Sequence, residues 1–186
     1  LNKIIIITAP SGSGKTTIVK RLLESYPKLA FSISACTRSP RQGEQDGKDY
    51  YFFREEDFLQ KIKEDAFVEW EMVYTGKYYG TLKSELRRIW NAGQFPLVDI
   101  DVQGALNIKK KYTDESISLF IQAPSLKELE RRLRSRGTET EQSLLERINK
   151  AKDELTYAAR FDRIVINDNL DTAVEEIKDI VETFLT

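Results

Sequence analysis

Residues 3–17 read KIIIITAPSGSGKTT, and this stretch restricts the fold of the chain more than any other. The β-branched run over 3–8 does not alternate with polar residues. It therefore reads as a strand buried on both faces, the situation of an interior strand in a parallel sheet. Gly12 and Gly14 follow, and from Lys15 to Tyr26 the residues Ile18, Val19, Leu22 and Leu23 recur at helical spacing. A buried strand, a glycine-rich turn and a helix opening on Lys-Thr make a phosphate-binding loop of the nucleotide type. Glycine lets the backbone curl so that successive N–H groups face phosphate oxygens, and the helix N-terminus adds its dipole. In such a loop Lys15 reaches the β and γ phosphates and the Thr16 hydroxyl holds Mg²⁺. Ala9 stands where the usual pattern has its first glycine, and it is strained there only if the position needs a positive φ.

Further strands are expected at 96–101 (PLVDID), 116–122 (SISLFIQ) and 163–167 (RIVIN). The first two lead into helical stretches, and the third leads into a helix over 170–185 with Leu170, Val174, Ile177, Val181 and Phe184 on one face. Alternating strands and helices imply βαβ units around a parallel sheet. Residues 34–81 differ in texture, being rich in Tyr and Phe with glycines at 43, 47, 76 and 80. They read as a small mixed or antiparallel insertion with strand-like pieces at 50–53 and 67–74. Residues 124–150 are highly charged and helical with a break at Gly137, the texture of a lid. The expected division is one domain over 1–186, with a core of 1–33, 82–123 and 151–186, an insertion of 34–81 and a lid of 124–150.

Composition narrows the chemistry. A chain that is 40% hydrophobic and 32% charged folds rather than remaining disordered. Its net charge of −1 gives no reason to expect a nucleic-acid or membrane partner. Cys36 is the only cysteine, which suits a reducing, cytoplasmic setting. No histidine is present, so a His general base, a His triad and a His metal site all drop out. Lys, Arg, carboxylates, hydroxyls and backbone amides must do the work.

A second ordered set of segments follows the phosphate loop: FSISACTRSPR over 31–41, GKDY over 47–50, FVEW over 67–70, GKYYGT over 76–81, DIDVQG over 99–104 and RGTET over 136–140. Planar guanidinium forks at Arg38 and Arg41 suit a phosphate monoester, and Tyr50 and Tyr79 supply phenolic donors. Glu69 lies between Val68 and Trp70 and is either an expensive buried carboxylate or the solvent face of an edge strand. Asp99 and Asp101, two apart on the expected strand, share one face at its C-terminal end, where open parallel sheets bind ligands. A link to Mg²⁺ and its waters, a contact to the acceptor and a structural hydrogen bond are all open to Asp99.

Taken in order, these segments resemble the guanylate kinase family over essentially the whole chain. The resemblance implies an α/β P-loop kinase: a central, mostly parallel sheet flanked by helices, a small mixed β-rich nucleotide-binding insertion and a helical lid. It implies transfer of the γ-phosphoryl of Mg-ATP to GMP, with ATP and GMP as small-molecule partners and Mg²⁺ as cofactor. ATP contacts are expected from Ala9, Pro10, Ser11, Gly12, Ser13, Gly14, Lys15, Thr16, Thr17, Arg136 and Asn167. GMP contacts are expected from Ser34, Arg38, Arg41, Tyr50, Glu69, Tyr79, Thr81 and Asp101. Matching family residues hold the phosphate (Arg38, Arg41, Tyr50, Tyr79) and the base (Ser34, Glu69, Thr81), with Asp101 near both the guanine and the reacting phosphates. The expected catalytic set is Lys15, Arg38, Arg136 and Arg147.

Three points stay open in the sequence. Asn167 matches a family adenine contact but is equally placed to cap the helix that begins at Leu170, a role also open to Asp168 or Asn169. Arg131, Arg132 and Arg134 crowd the lid with Arg136, and most of this run reads as a solvated face. Cys36 stands where the family often has threonine. One rival reading is a non-catalytic interaction module of the same fold, favoured only by Ala9. Another is a related kinase with a different acceptor, against which Ser34, Glu69, Thr81 and the Arg38–Arg41 pair discriminate.

Overall fold

In the computed structural model, which describes residues 2–135 and 140–186, the apolar run becomes β1 (Ile4–Thr8), buried throughout. A loop leads into α1 (Lys15–Ser25), and β2 (Leu29–Phe31) closes the first unit. The chain then leaves the main sheet through β3 (Ala35–Cys36), β4 (Tyr51–Phe52), α2 (Glu55–Lys63), β5 (Phe67–Tyr74) and β6 (Lys77–Leu82). It returns by α3 (Lys83–Asn91), β7 (Phe95–Asp99), α4 (Val102–Lys111) and β8 (Ser116–Gln122). A helical arm of α5 (Leu126–Arg134) and α6 (Glu141–Leu155) precedes β9 (Arg163–Ile166) and the final α7 (Leu170–Leu185).

The main sheet has the order β2-β7-β1-β8-β9 with every pairing parallel, so β1 lies at its centre. A central parallel strand must bury both faces, and alternation along β1 divides the core in two. Ile5 and Ile7 pack with Ile18 and Leu22 of α1 and with Val174, Ile177 and Val181 of α7. Ile4 and Ile6 pack on the other side with Leu86 of α3, Ala105 and Ile108 of α4, and Phe120 of β8. Asn169 caps α7 by accepting from the Thr172 amide at 3.1 Å, so the cap alternative for Asn167 falls away.

The insertion is a mixed sheet of order β4-β3-β6-β5, parallel between β3 and β4 and antiparallel elsewhere. It also contains α2, which the aromatic, strand-like texture of this region conceals. Glu55, Glu56 and Asp57 in the first turn and Lys61 and Lys63 in the last complement the helix dipole. Phe58 is the one residue of α2 that is fully buried, stacked on Phe67 at 4.4 Å. A second departure concerns the expected strand at 96–101, which ends at Asp99. Asp101 is the N-cap of α4, its Oδ1 accepting from the Gly104 amide at 2.8 Å, so the two aspartates do not share a strand face.

Ile177 is fully buried between α1, α7 and the sheet. Ile177→Ala is expected to lower the unfolding free energy by roughly 2–5 kcal/mol. Urea denaturation followed by circular dichroism measures this, and a loss below about 1 kcal/mol would mean that α7 is not clamped to the core as described.

Candidate active site

The loop after β1 is shaped by two glycines in the left-handed region, Gly12 and Gly14, each with φ of 89°. A side chain at Gly14 would also collide, because a Cβ there would come within 2.3 Å of Asn167 Nδ2. That amide nitrogen donates to the Ser13 carbonyl at 2.8 Å, and the Asn167 carbonyl accepts from Arg132 at 3.0 Å. Asn167 is thus a buried strut between the loop and α5. Arg132 is itself steadied by Glu128, so it does more than solvate the surface of α5. Leu133 packs over Gly12, and Arg147 of α6 reaches Ser11 Oγ at 3.5 Å. Ala9 has no positive φ; among described residues other than glycine, Asp65 has one. The methyl group of Ala9 therefore brings no backbone strain.

Lys15, at the head of α1, forms an ion pair with Asp99 at 2.5 Å and faces a cleft of about 380 Å³. That volume lies in the range of small-ligand sites. One wall carries Lys15, Thr16, Asp99 and Asp101; the other, from the insertion, carries Ser34, Tyr50, Glu69 and Tyr79. Glu71, Asp49 and Val73 line it as well. Thr81 is buried opposite Glu69 in the β5–β6 register.

Glu69 is only 5% exposed, and its Oε1 has no hydrogen-bond partner among the described residues. Burial pushes its pKa up to about 7; Thr81 opposes the shift and the Asp101 charge adds to it. The solvent-face alternative for this residue is therefore wrong. Leaving a buried carboxylate oxygen unpaired is costly, and a cleft that does so is shaped for a ligand with donors to offer.

At the mouth of the insertion, Arg38 is gripped by Glu44 in a two-pronged pair at 2.6 and 2.7 Å and lies over the Tyr50 ring at 4.8 Å. Glu44 also accepts from the Arg41 amide. The Arg38 fork, and then the Arg41 amide, hold the Glu44 carboxyl down at about 2. The Arg41 side chain is exposed. Cys36 is buried beneath this loop, and the neighbouring Thr37 hydroxyl ties the loop to the β5–β6 turn through Gly76 and Tyr78.

Of the residues expected from the sequence, Lys15, Thr16, Ser34, Tyr50, Glu69, Tyr79 and Asp101 meet at one cleft. Arg38 joins it through Tyr50, whereas the exposed Arg41 is not part of its lining and Asn167 braces the loop from behind. Arg136 lies outside the described residues. Sequence reasoning missed Glu44, whose signal was an acid just beyond the Arg38–Arg41 pair, and Arg132, hidden in a charge run. It also missed the half-buried Glu154 of α6, whose carboxyl is raised by burial and feels the charges of Lys150, Lys15 and Asp101.

Known proteins resemble this chain in sequence and fold. The guanylate kinase family model matches residues 1–184. The chain belongs to the guanylate kinase family. A guanylate kinase of Bacteroides fragilis is 47% identical over 183 residues, covering 98% of this chain and 90% of the relative. That of Porphyromonas gingivalis is 46% identical over 186 residues, covering 100% and 99%. The crystal structure of guanylate kinase from Anaplasma phagocytophilum superimposes with a TM-score of 0.77 at 28% identity, covering 97% of this chain and 85% of that one. The activity is accordingly that of a guanylate kinase, an ATP-dependent phosphotransferase acting on GMP. The non-catalytic module is not favoured, since Ala9 was its one support and adopts an ordinary backbone.

Because folding raises the Glu69 pKa from 4.5 to about 7, the stability associated with its protonated form is complete below pH 4.5 and is lost as pH rises through 7. Glu69→Gln cannot titrate. Without nucleotide, its stability relative to wild type is expected to improve between pH 5 and pH 8, by at most roughly 3 kcal/mol. Urea midpoints at the two pH values measure the change. An offset that does not vary with pH would show that Glu69 is ionised and satisfied in the free protein.

Proposed function

We propose that the cleft holds both substrates at once, with ATP along the phosphate loop and GMP against the insertion. The observation carrying this reading is that Lys15 and Thr16 open onto the same cleft as Ser34, Tyr50, Glu69 and Tyr79. Ala9 to Thr17 wrap the ATP phosphates, while Arg136 and Asn167 serve the donor nucleotide. Arg38, Arg41, Tyr50 and Tyr79 take the GMP phosphate. In the free enzyme Arg38 rests on Glu44, which keeps the guanidinium extended until a phosphate competes for it. Ser34, Thr81 and Asp101 surround the base, and Glu69 accepts from guanine N1–H and N2–H₂. Adenine carries an acceptor at N1 and would leave that carboxylate unpaired.

A phosphate oxygen of GMP attacks the γ-phosphorus, forming the new P–O bond as the bond to the β-phosphate oxygen breaks. The second pKa of a phosphate monoester is about 6, so the nucleophile is already ionised and needs no general base. That suits a chain without histidine. The protein's task is to align the groups and offset their charge. Lys15 is held by Asp99 at the cleft wall, within reach of the β and γ phosphates. Arg38, Arg136 and Arg147 neutralise the transferring group from the other directions.

The residues fit Mg²⁺. Magnesium keeps several waters and is bound through one or two carboxylates together with substrate phosphates. The exposed Thr16 hydroxyl and the cleft carboxylates Asp99 and Asp101 are suited to that. Among the described residues no group of three or more His, Cys, Asp or Glu forms a cage, which suits a metal that arrives with the nucleotide. When bound, Mg²⁺ withdraws charge from the phosphate oxygens.

Insertion 34–81 and lid 124–150 close on the core, 1–33, 82–123 and 151–186, and exclude water. The helix α6, continuous from Glu141 to Leu155, would carry the motion of the lid into the core. A single buried cysteine suits work in the reducing cytoplasm.

Release of ADP from Mg-ATP, assayed with GMP, AMP, UMP and CMP in turn, tests the reading. Turnover is expected with GMP and not with the other three. Lys15→Met is expected to lower kcat by 100-fold or more, on the order of the effect of removing one charge-stabilising donor, with little change in the GMP KM. An unchanged kcat would remove Lys15 from the mechanism.

A further inference from the structure

We infer that Glu85, a residue outside the cleft, is a positioning residue for the acceptor half of the site, acting through Ser34 and Tyr50. The inference rests on the reading of those two residues as GMP ligands. Glu85 lies in the first turn of α3, directly after the insertion rejoins the core at Leu82. Its side chain is 1% exposed, yet it is fully satisfied. Oε1 accepts from the Ile33 amide at 3.0 Å and from Arg88 Nη2 at 2.8 Å. Oε2 accepts from the Tyr51 hydroxyl at 2.8 Å and from Arg88 Nε at 2.9 Å. Burial alone would raise the pKa, but the Arg88, Ile33 and Tyr51 bonds outweigh it and hold the carboxyl below its ordinary range.

The two non-arginine donors adjoin the acceptor site in sequence. Ile33 precedes Ser34, where the chain passes from core to insertion, and Tyr51 follows Tyr50. A further bond closes the circuit: the Tyr51 amide donates to the Ser34 carbonyl at 2.9 Å. Ser34 is therefore enclosed in a ring that runs from Glu85 Oε1 through the Ile33 amide and the Ser34 carbonyl. It continues through the Tyr51 amide and ends with the Tyr51 hydroxyl on Glu85 Oε2. A buried four-donor carboxylate is a stiff junction, because each of its bonds is made in a place where water cannot replace it. It fixes the Ser34 hydroxyl and the Tyr50 ring relative to α3, across sequence separations of 52 and 34 residues.

Tyr51→Phe removes one bond of the ring and leaves Glu85 paired with Arg88 and Ile33. It is expected to raise the GMP KM roughly tenfold, on the order of losing one hydrogen bond to a charged group, while the ATP KM stays within twofold of wild type. Glu85→Gln, which turns an amide donor toward existing donors, is expected to do the same more strongly. In a Ser34→Ala background the effect of Tyr51→Phe should shrink, because the contact it positions is already gone. Ser34→Ala alone tests the ligand assignment separately, through its own rise in GMP KM. An unchanged GMP KM in folded Tyr51→Phe would overturn the inference. Equal losses toward both substrates, or full additivity with Ser34→Ala, would overturn it too, and the Tyr51→Phe data decide the matter even if Glu85→Gln fails to fold.

Discussion

Phosphate can be gripped by backbone only if the loop that grips it keeps its amides turned toward the ligand, in a shape the loop would not hold by itself. The loop between β1 and α1 meets this condition through constraints imposed from outside. Gly12 and Gly14 adopt the left-handed region. Asn167, at the end of β9, anchors the Ser13 carbonyl and occupies the space a Gly14 side chain would need. Leu133 of α5 covers Gly12. The strand beneath is central and buried on both faces, so the loop sits on the stiffest part of the sheet. First-turn amides of α1 have no partner within the helix and are left for a ligand. The arm α5–α6 touches the same loop through Leu133 and Arg147, which makes the loop the point where arm and core meet.

Across the cleft the design is opposite in kind. The wall of the phosphate loop depends on backbone shape, whereas the wall from the insertion depends on charged side chains held in definite states. Glu44 holds Arg38 and Glu85 holds the root of the insertion, both with full complements of donors. Glu69 is the exception, dry and without a partner for Oε1. With two carboxylates satisfied and a third left wanting, the third is where a ligand with donors gains most.

What was legible in the sequence follows from the same physics. β1 and α7 could be read because a strand buried on both faces is an apolar run and a surface helix has a single apolar stripe, and β8 because its Leu119, Phe120 and Ile121 form a shorter run of the same kind. The helix α2 could not, since its one fully buried side chain, Phe58, lies among aromatics that read as strand. Asp101 was read as strand because Leu97, Val98 and Ile100 carry strand-like apolar character right up to the point where the chain turns; only the Gly104 amide identifies it as a cap. Glu69 and Asn167 each allowed two readings until burial and hydrogen bonding were known. Glu85 gave no signal, because its partners are 34 and 52 residues distant and nothing local marks an acid on a charged helix as buried.

The central claim is that the unpaired Glu69 carboxylate reads the guanine donors, and the most direct test removes one donor from the ligand. Inosine monophosphate keeps guanine's N1–H and O6 but lacks the 2-amino group. The ratio of kcat/KM for GMP over inosine monophosphate, measured in wild type and in Glu69→Gln, isolates the carboxylate's contact with that group. The account predicts a ratio in wild type on the order of 10–100 or more, as expected for a hydrogen bond to a buried charge, and a collapse toward unity in Glu69→Gln. A ratio that survives the substitution would contradict it and assign base recognition to other residues of the cleft.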